Sequence, residues 1–273
     1  MSDGMGTNLI DRASEVAQAF VAARRAARVL PDYPGTPPTD LASAYRIQDE
    51  AIRLDGRAVV GWKVGRINPP EDARLGSNRL AGPIFGDAVV TPRSGEVPAM
   101  PVFAGGFAAA EAELLLHVAP GWDGALPADD AATVALLDEV RLGIEIASSP
   151  YPRINVDGPA VTASDFGNNA GLVLGPPLDN WLALDICAIE VVTTIDGETV
   201  ARATAATMLD GPYGAVRFLL ANLARRGIAC RQGLWVSTGA ITGVHPVRPG
   251  QAVTATFGTH GTIGCTIAAA TAR

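Results

Sequence analysis

Residues 110–118 read Ala-Glu-Ala-Glu-Leu-Leu-Leu-His-Val, and no other stretch restricts the fold as much. With a period of two, Ala112, Leu114, Leu116 and Val118 share one face and Glu111, Glu113, Leu115 and His117 the other. A strand is expected, with Glu111 and Glu113 projecting together from Cα atoms roughly 6.6–6.8 Å apart. On an edge strand such a pair is simply solvated. In an apolar setting the two like charges repel, and the site calls for a cation or a shared proton.

A third carboxylate lies in a second stretch of the same kind. Over Arg141–Ala147, Leu142, Ile144 and Ile146 point one way and Gly143, Glu145 and Ala147 the other. Glu145 therefore stands on the small-residue face of an otherwise apolar strand. Three carboxylates without a supporting histidine or cysteine set suit a hard, oxygen-binding ion such as Mg2+ or Mn2+. Three protein oxygens leave positions for water and for a bidentate substrate. His117, His245 and His260 are the only histidines. Their spacing suggests no metal site, and His117 is expected to be structural.

Lysine and arginine total 21, and a single one of them, Lys63, is lysine. Where coding bias writes nearly every positive charge as arginine, a retained lysine is a candidate for a needed ammonium, which is compact and tunable in pKa. Val59–Arg66 is expected to be a strand with Val60, Trp62 and Val64 on one face. Gly61, Lys63 and Gly65 share the other, so a ligand can approach the ammonium between two glycines.

Along the rest of the chain, Leu9, Ala13, Val16, Phe20 and Val21 follow helical spacing within Leu9–Leu30, with Arg24, Arg25 and Arg28 near the favourable C-terminal end. Prolines and Gly35 break the chain at Asp32–Pro38. A second helix is expected from a Thr39 cap to Asp55–Gly56. Pro69–Gly76 reads as a short helix or loop, and a β-like region is expected from Ile84–Val90. A helix is expected over Ala131–Asp138, a short helix or turn over Pro159–Gly167 and a buried strand at Gly171–Gly175. Asp196–Gly197 between Ile186–Ile195 and Glu198–Ala206 is a hairpin signal. Pro212 opens a helix closed by Gly227, and strands follow at Trp235–Thr238, Val253–Phe257 and Ile263–Ile267. Asp165–Asn169 is a polar turn that could line a site, and Ser237-Thr238-Gly239 a strand end that could meet a substrate. Strands outnumber helices without a β-α repeat, so an α+β fold on a large, mostly antiparallel sheet system is expected, with no interdomain linker.

The formal charge of −7 argues against nucleic acid as a partner. No apolar run approaches the roughly 18 residues of a membrane span, and Met1–Asn8 is polar instead of a secretory apolar core. Cys187, Cys230 and Cys265 are odd in number and far apart, the pattern of reduced thiols in a cytoplasmic protein. No nucleophile elbow, Walker loop or dinucleotide fingerprint occurs in a strand-to-helix context.

Taken in order, Ala44-Tyr45-Arg46-Ile47-Gln48, Gly61-Trp62-Lys63-Val64-Gly65, Gly82-Pro83-Ile84-Phe85, Ala110-Glu111-Ala112-Glu113, Ile144-Glu145-Ile146, Leu172-Val173-Leu174-Gly175 and Thr238-Gly239-Ala240 resemble one group. It is the 2-keto-4-pentenoate hydratase and 4-oxalocrotonate decarboxylase group of the fumarylacetoacetate hydrolase superfamily. The resemblance implies a single catalytic domain over 1–273, helical at about 8–56. Its fold would be a mixed β-sandwich roll of the superfamily's C-terminal-domain type with peripheral helices, assembled as a homo-oligomer. It also implies Glu111, Glu113 and Glu145 as ligands of Mg2+ or Mn2+, Lys63 as the active-site lysine, and Asn168 and Thr238 as contacts to a small 2-oxo acid.

Two departures bear on the reaction. Hydratases of the group often carry Pro-Asp before the Gly-x-Leu/Ile-Phe segment, where this chain has Arg79 and Leu80. Relatives often read Ala-Asp-Asn-Ala-Ser where it has Ser164-Asp165-Phe166-Gly167-Asn168. The leading expectation is metal-dependent hydration of a 2-hydroxy-2,4-dienoate to a 4-hydroxy-2-oxo acid. Decarboxylation of a 4-oxalocrotonate-type diacid is the alternative: loss of the acidic residue removes a repulsion, and Arg79 is placed to attract the second carboxylate. An acylpyruvate-type hydrolase is disfavoured because 36–55 holds no histidine. A non-catalytic 2-oxo-acid-binding protein is disfavoured because Lys63 and all three glutamates are present.

Overall fold

The computed structural model describes the backbone of residues 3–273 and the side chains of residues 13–273. Leu9 and the polar Met1–Asn8, named above, lie outside the described side chains. Helix α1 (Asp3–Arg25) ends before the expected Leu30 and buries Val16, Ala17, Phe20 and Val21 along one face. Helix α2 (Leu41–Asp55) is capped by Asp40 and not by Thr39: Asp40 Oδ1 accepts from Ser43 N at 2.7 Å, and left-handed Gly56 closes the other end.

Strand β1 (Val59–Arg66), helix α3 (Glu71–Leu75) and strand β2 (Arg79–Phe85) follow. β2 starts well before the expected Ile84, because its backbone completes a ladder with β1 from Val59↔Phe85 to Arg66↔Arg79. Satisfying those backbone groups outweighs the breaker character of Gly82 and Pro83. After β3 (Val89–Val90), β4 (Ala99–Val102), β5 (Phe107–Val118) and α4 (Asp130–Val134) comes β6 (Leu137–Ser149). The helix expected over Ala131–Asp138 is cut short because Leu137 opens β6, which pairs with all of β5.

Helix α5 (Pro159–Ser164) leads through a tight turn into β7 (Asn169–Pro177). The hairpin of β8 (Glu190–Ile195) and β9 (Glu198–Thr204) turns at Asp196–Gly197, both at positive φ. Helix α6 (Gly211–Arg225) and strands β10 (Leu234–Ser237), β11 (His245–Pro246), β12 (Ala252–Phe257) and β13 (Gly261–Ala269) complete the chain. No helix among the described residues is long and apolar enough to cross a membrane.

One sheet runs β2-β1-β10-β5-β6-β7-β3, with β11 added to β5, and the other β4-β13-β12-β8-β9. Parallel pairs β1–β10, β3–β7 and β4–β13 interrupt otherwise antiparallel ladders, so both sheets are mixed within an α+β fold. Ala112, Leu114, Leu116 and Val118 of β5 enter the main core with Val253, Ala255 and Phe257 of the second sheet. Each fully buried Leu or Val contributes about 1.5–3 kcal/mol. This locks the register of β5 and turns Glu111 and Glu113 away from the second sheet, since a slip by one residue would exchange the faces. Helices α1 and α2 cover that other side through a cluster containing Phe20, Ile47, Phe85 and Phe166.

The turn between α5 and β7 crosses β2 at very close range. A Cβ on Gly82 would stand 2.0 Å from Phe166 O, and one on Gly167 would stand 3.0 Å from Gly82 Cα. Only glycines allow this approach, which brings Asn168 over β1. Gly82→Ala is expected to lower stability by about 1–3 kcal/mol, read as a reduced urea midpoint. An unchanged midpoint would mean that the crossing relaxes freely.

Candidate active site

Strands β5 and β6 pair with Glu111 directly opposite Glu145 and Glu113 opposite Gly143. All three glutamates are buried, and one carboxylate oxygen from each lies within 4.8 Å of the others. The convergence expected from the two alternating stretches is present. It depends on β5 and β6 being neighbours, which neither stretch specifies.

Lys63 reaches the cluster from β1, two strands away from β5 across β10. Its Nζ lies 3.3 Å from Glu145 Oε2 and donates to Asn168 Oδ1 at 3.1 Å. Asn168 Nδ2 in turn donates to Asn155 Oδ1 at 3.0 Å, which aims the amide oxygen at the lysine. Asn169 Nδ2 donates to Glu145 Oε1 at 2.9 Å. Glu113 Oε2 accepts from the Ser237 hydroxyl and, at 3.0 Å, from Gly239 N. Glu113 Oε1 and Glu145 Oε2 have no hydrogen-bond partner. Buried oxygens left so are costly unless another charge serves them.

Three ionised carboxylates against one ammonium leave an excess of two negative charges in a buried cluster. Burial pushes Glu111 up to about 7, helped by Glu145 and opposed by Lys63. Burial, with Glu145 and Glu111 beside it, holds Glu113 well above the usual carboxylate range despite its bonds from Ser237 and Gly239. Burial alone would lower Lys63, but Glu145, Glu111 and Glu113 together outweigh it and keep the amine protonated. A divalent cation among the three carboxylates would cancel the excess charge. The all-carboxylate donor set fits Mg2+ or Mn2+.

A cavity of about 750 Å³ opens onto Lys63, Glu111, Asn168 and Thr238. Thr238 Oγ1 gives its proton to Leu114 O at 2.8 Å, so only its lone pairs remain for the cavity. Leu80 is buried in the same wall. Arg79 also lines the cavity, but Asp210 already holds it at 2.5 Å. The charge that Arg79 could offer a second substrate carboxylate is shared with the start of α6, a pairing that sequence spacing does not reveal. His117 is bonded to Asp138 at 2.6 Å and packs against the Trp235 ring at a tilt of 45°, in keeping with a structural role. Asn155 and Asn169 were not singled out from the sequence. The one signal for Asn169 was its place in the polar run Asp165–Asn169.

No protein-family model matches the chain. It is 29% identical over 237 residues to a 4-oxalocrotonate decarboxylase of Pseudomonas sp. (strain CF600), covering 84% of this chain and 85% of that protein. It is 26% identical over 249 residues to a 2-keto-4-pentenoate hydratase of Burkholderia vietnamiensis (strain G4 / LMG 22486), covering 88% and 89%. Among solved structures, the 4-oxalocrotonate decarboxylase from Pseudomonas putida G7 complexed with magnesium and adipate superposes with a TM-score of 0.77 at 22% identity, covering 94% of this chain and 97% of that one. Fumarylpyruvate hydrolase from Pseudomonas aeruginosa, in complex with Mn2+ and pyruvate, superposes with a TM-score of 0.54 at 16% identity, covering 77% and 90%. The chain thus has the mixed sandwich roll of the fumarylacetoacetate hydrolase superfamily and is a sequence relative of its 2-keto-4-pentenoate hydratase and 4-oxalocrotonate decarboxylase group.

Proposed function

We propose that this chain is a divalent-metal-dependent lyase that hydrates a 2-hydroxy-2,4-dienoate to a 4-hydroxy-2-oxo acid. Glu111, Glu113 and Glu145 hold the cation, Lys63 is the catalytic lysine, and Asn168 and Thr238 contact the substrate. One observation carries this: a lone buried lysine and three converging glutamates meet beside a cavity sized for a small ligand. The two kinds of sequence relative act on substrates of this kind by name.

When bound, the cation supplies Lewis-acid stabilisation of negative charge at the carboxylate and C2-oxygen end of the substrate. Lys63, held protonated by the glutamates and aimed by Asn168, neutralises the substrate carboxylate or relays a proton. Ketonisation takes the proton from the 2-hydroxyl and adds one at C5, leaving a C3–C4 alkene conjugated to the carbonyl. Water then adds its hydroxyl at C4 and a proton at C3.

Decarboxylation of a 4-oxalocrotonate-type diacid is the second possibility, and Leu80 favours it. An apolar wall stands where the hydratase pattern has an acid, so a second carboxylate meets no repulsion there. The same stabilised enolate serves both reactions.

Incubation with Mg2+ and either 2-hydroxypenta-2,4-dienoate or 4-oxalocrotonate, followed by NMR, separates the two. The expected product is a 4-hydroxy-2-oxo acid, lost on addition of EDTA; loss of CO2 from the diacid alone assigns the decarboxylase. Lys63→Met and Glu113→Gln are each expected to reduce kcat/KM at least about 100-fold. Unchanged turnover in either folded variant would rule out its assigned role.

Metal removal is expected to make stability depend on pH. Glu111 sits at about 7 when folded, above its ordinary 4.5, so its stabilising contribution is full below about 4.5 and lost as pH rises through about 7. Thermal unfolding in EDTA should give a lower Tm at about pH 8 than at about pH 5, and Mn2+ should restore the loss. A flat metal-free profile would show that the carboxylates do not carry this strain.

A further inference from the structure

Asn168 and Asn169 reach Lys63 and Glu145 from an unusual backbone. Phe166, Gly167 and Asn168 all lie in the left-handed region, with φ of 54°, 59° and 60°. Residues with a Cβ resist that conformation, so a consecutive run persists only where its surroundings over-determine it. The holding contacts come largely from one side chain, Arg24 in the last turn of α1.

Arg24 is 4% exposed. Its Nε donates to Asp165 Oδ1 at 2.6 Å and its Nη2 to Asp165 Oδ2 at 2.9 Å. Nη1 donates to Asn169 O at 3.1 Å, and Nη2 to Ser148 O at 3.1 Å. The guanidinium also lies 5.0 Å from the centre of the Phe166 ring. Asp165 is further fixed by Ser149 Oγ at 2.6 Å. One planar fork thus clamps the left-handed run at both ends, Asp165 and Asn169, and ties it to the end of β6.

We infer that Arg24 is a positioning residue of the site. By fixing Asn169 it orients Glu145, and by fixing the run it aims Asn168 at Lys63. This rests on the roles proposed above for Glu145 and Lys63. It touches neither reacting atoms nor a cation. A lysine in its place keeps the charge beside Asp165, but one ammonium cannot reproduce a fork that serves Asp165, Asn169 O and Ser148 O together.

The test is Mn2+ titration of the full chain by EPR, alongside thermal unfolding, for wild type, Arg24→Lys, Ser149→Ala and Val16→Ala. Asn169 is the outer partner of Glu145, and loss of such a partner typically weakens metal binding 10–100-fold; Arg24→Lys, which loosens Asn169 from one step further out, is expected to weaken Mn2+ severalfold, up to about tenfold. Val16→Ala, which loosens the apolar face of the same helix, is expected to lower Tm and leave Mn2+ affinity unchanged. Should Arg24→Lys fail to fold, Ser149→Ala, which removes one bond to Asp165, carries the same expectation in smaller measure. Wild-type affinity in the folded variant, or an equal loss in Val16→Ala, would overturn the positioning role alone. Absence of Mn2+ binding by the wild type would instead overturn the metal reading and this inference with it.

Discussion

Glu111 and Glu145 face each other across the β5–β6 ladder, and neither can move away without breaking the register that buries the main core. Like charges directly opposite on one face destabilise a sheet, and taking each carboxylate out of water costs several kcal/mol more. The rest of the site answers this one repulsion. Lys63 supplies one compensating charge, Asn169, Ser237 and Gly239 supply hydrogen bonds, and two oxygens stay unpartnered. Three carboxylates against one ammonium still leave negative charge in excess, and a divalent cation is what a carboxylate-only set of this kind accommodates.

The fold brings these answers from distant parts of the chain. Lys63 comes from β1, Ser237 and Gly239 from the end of β10, and Asn168 and Asn169 from the turn that enters β7. Two glycines, Gly82 and Gly167, let that turn press onto β2 so that Asn168 reaches the ammonium. On the outer side, Gln48 of α2 donates to Ala81 O and Ala163 O, and Tyr45 accepts from Ala81 N. Helix α2 thereby holds both β2 and α5, which leads into the turn. The helical part is thus a support for the site as well as a cover for the sheet.

Much of the site was legible in the sequence, because period-two alternation fixes which face a side chain takes. Glu111 and Glu113 had to emerge together, Glu145 had to leave the apolar face of its strand, and Lys63 had to stand between two glycines. Long-range pairing was not legible. Nothing near Arg79 announces Asp210, and nothing near Arg24 announces Asp165. Arg24 shows the limit well: as one of several arginines at a helix end it complements the helix dipole, and its burial follows only from the docking of α1 against the turn. Helix ends moved for a related reason. Asp40 replaced Thr39 as a cap because its carboxylate reaches Ser43 N, and the helix expected to Asp138 stopped at Val134 because local propensity yielded to the pairing of β6 with β5.

In the proposed function the charged cluster cannot by itself select between hydration and decarboxylation, since both pass through the same stabilised enolate. Selection falls to the rest of the cavity wall. There Leu80 forms wall, and Arg79 is paired with Asp210, which Arg217 also approaches. Val156, Leu209 and Val244, among the few large apolar side chains left exposed, line the same cavity from three separate loops. These side chains add apolar surface to a cavity that also presents Lys63 and Glu111. The three glutamates and Lys63 therefore sit on register-locked strands, as do Arg79 and Leu80, while Val156, Leu209 and Val244 sit on loops that can change without disturbing the sheet.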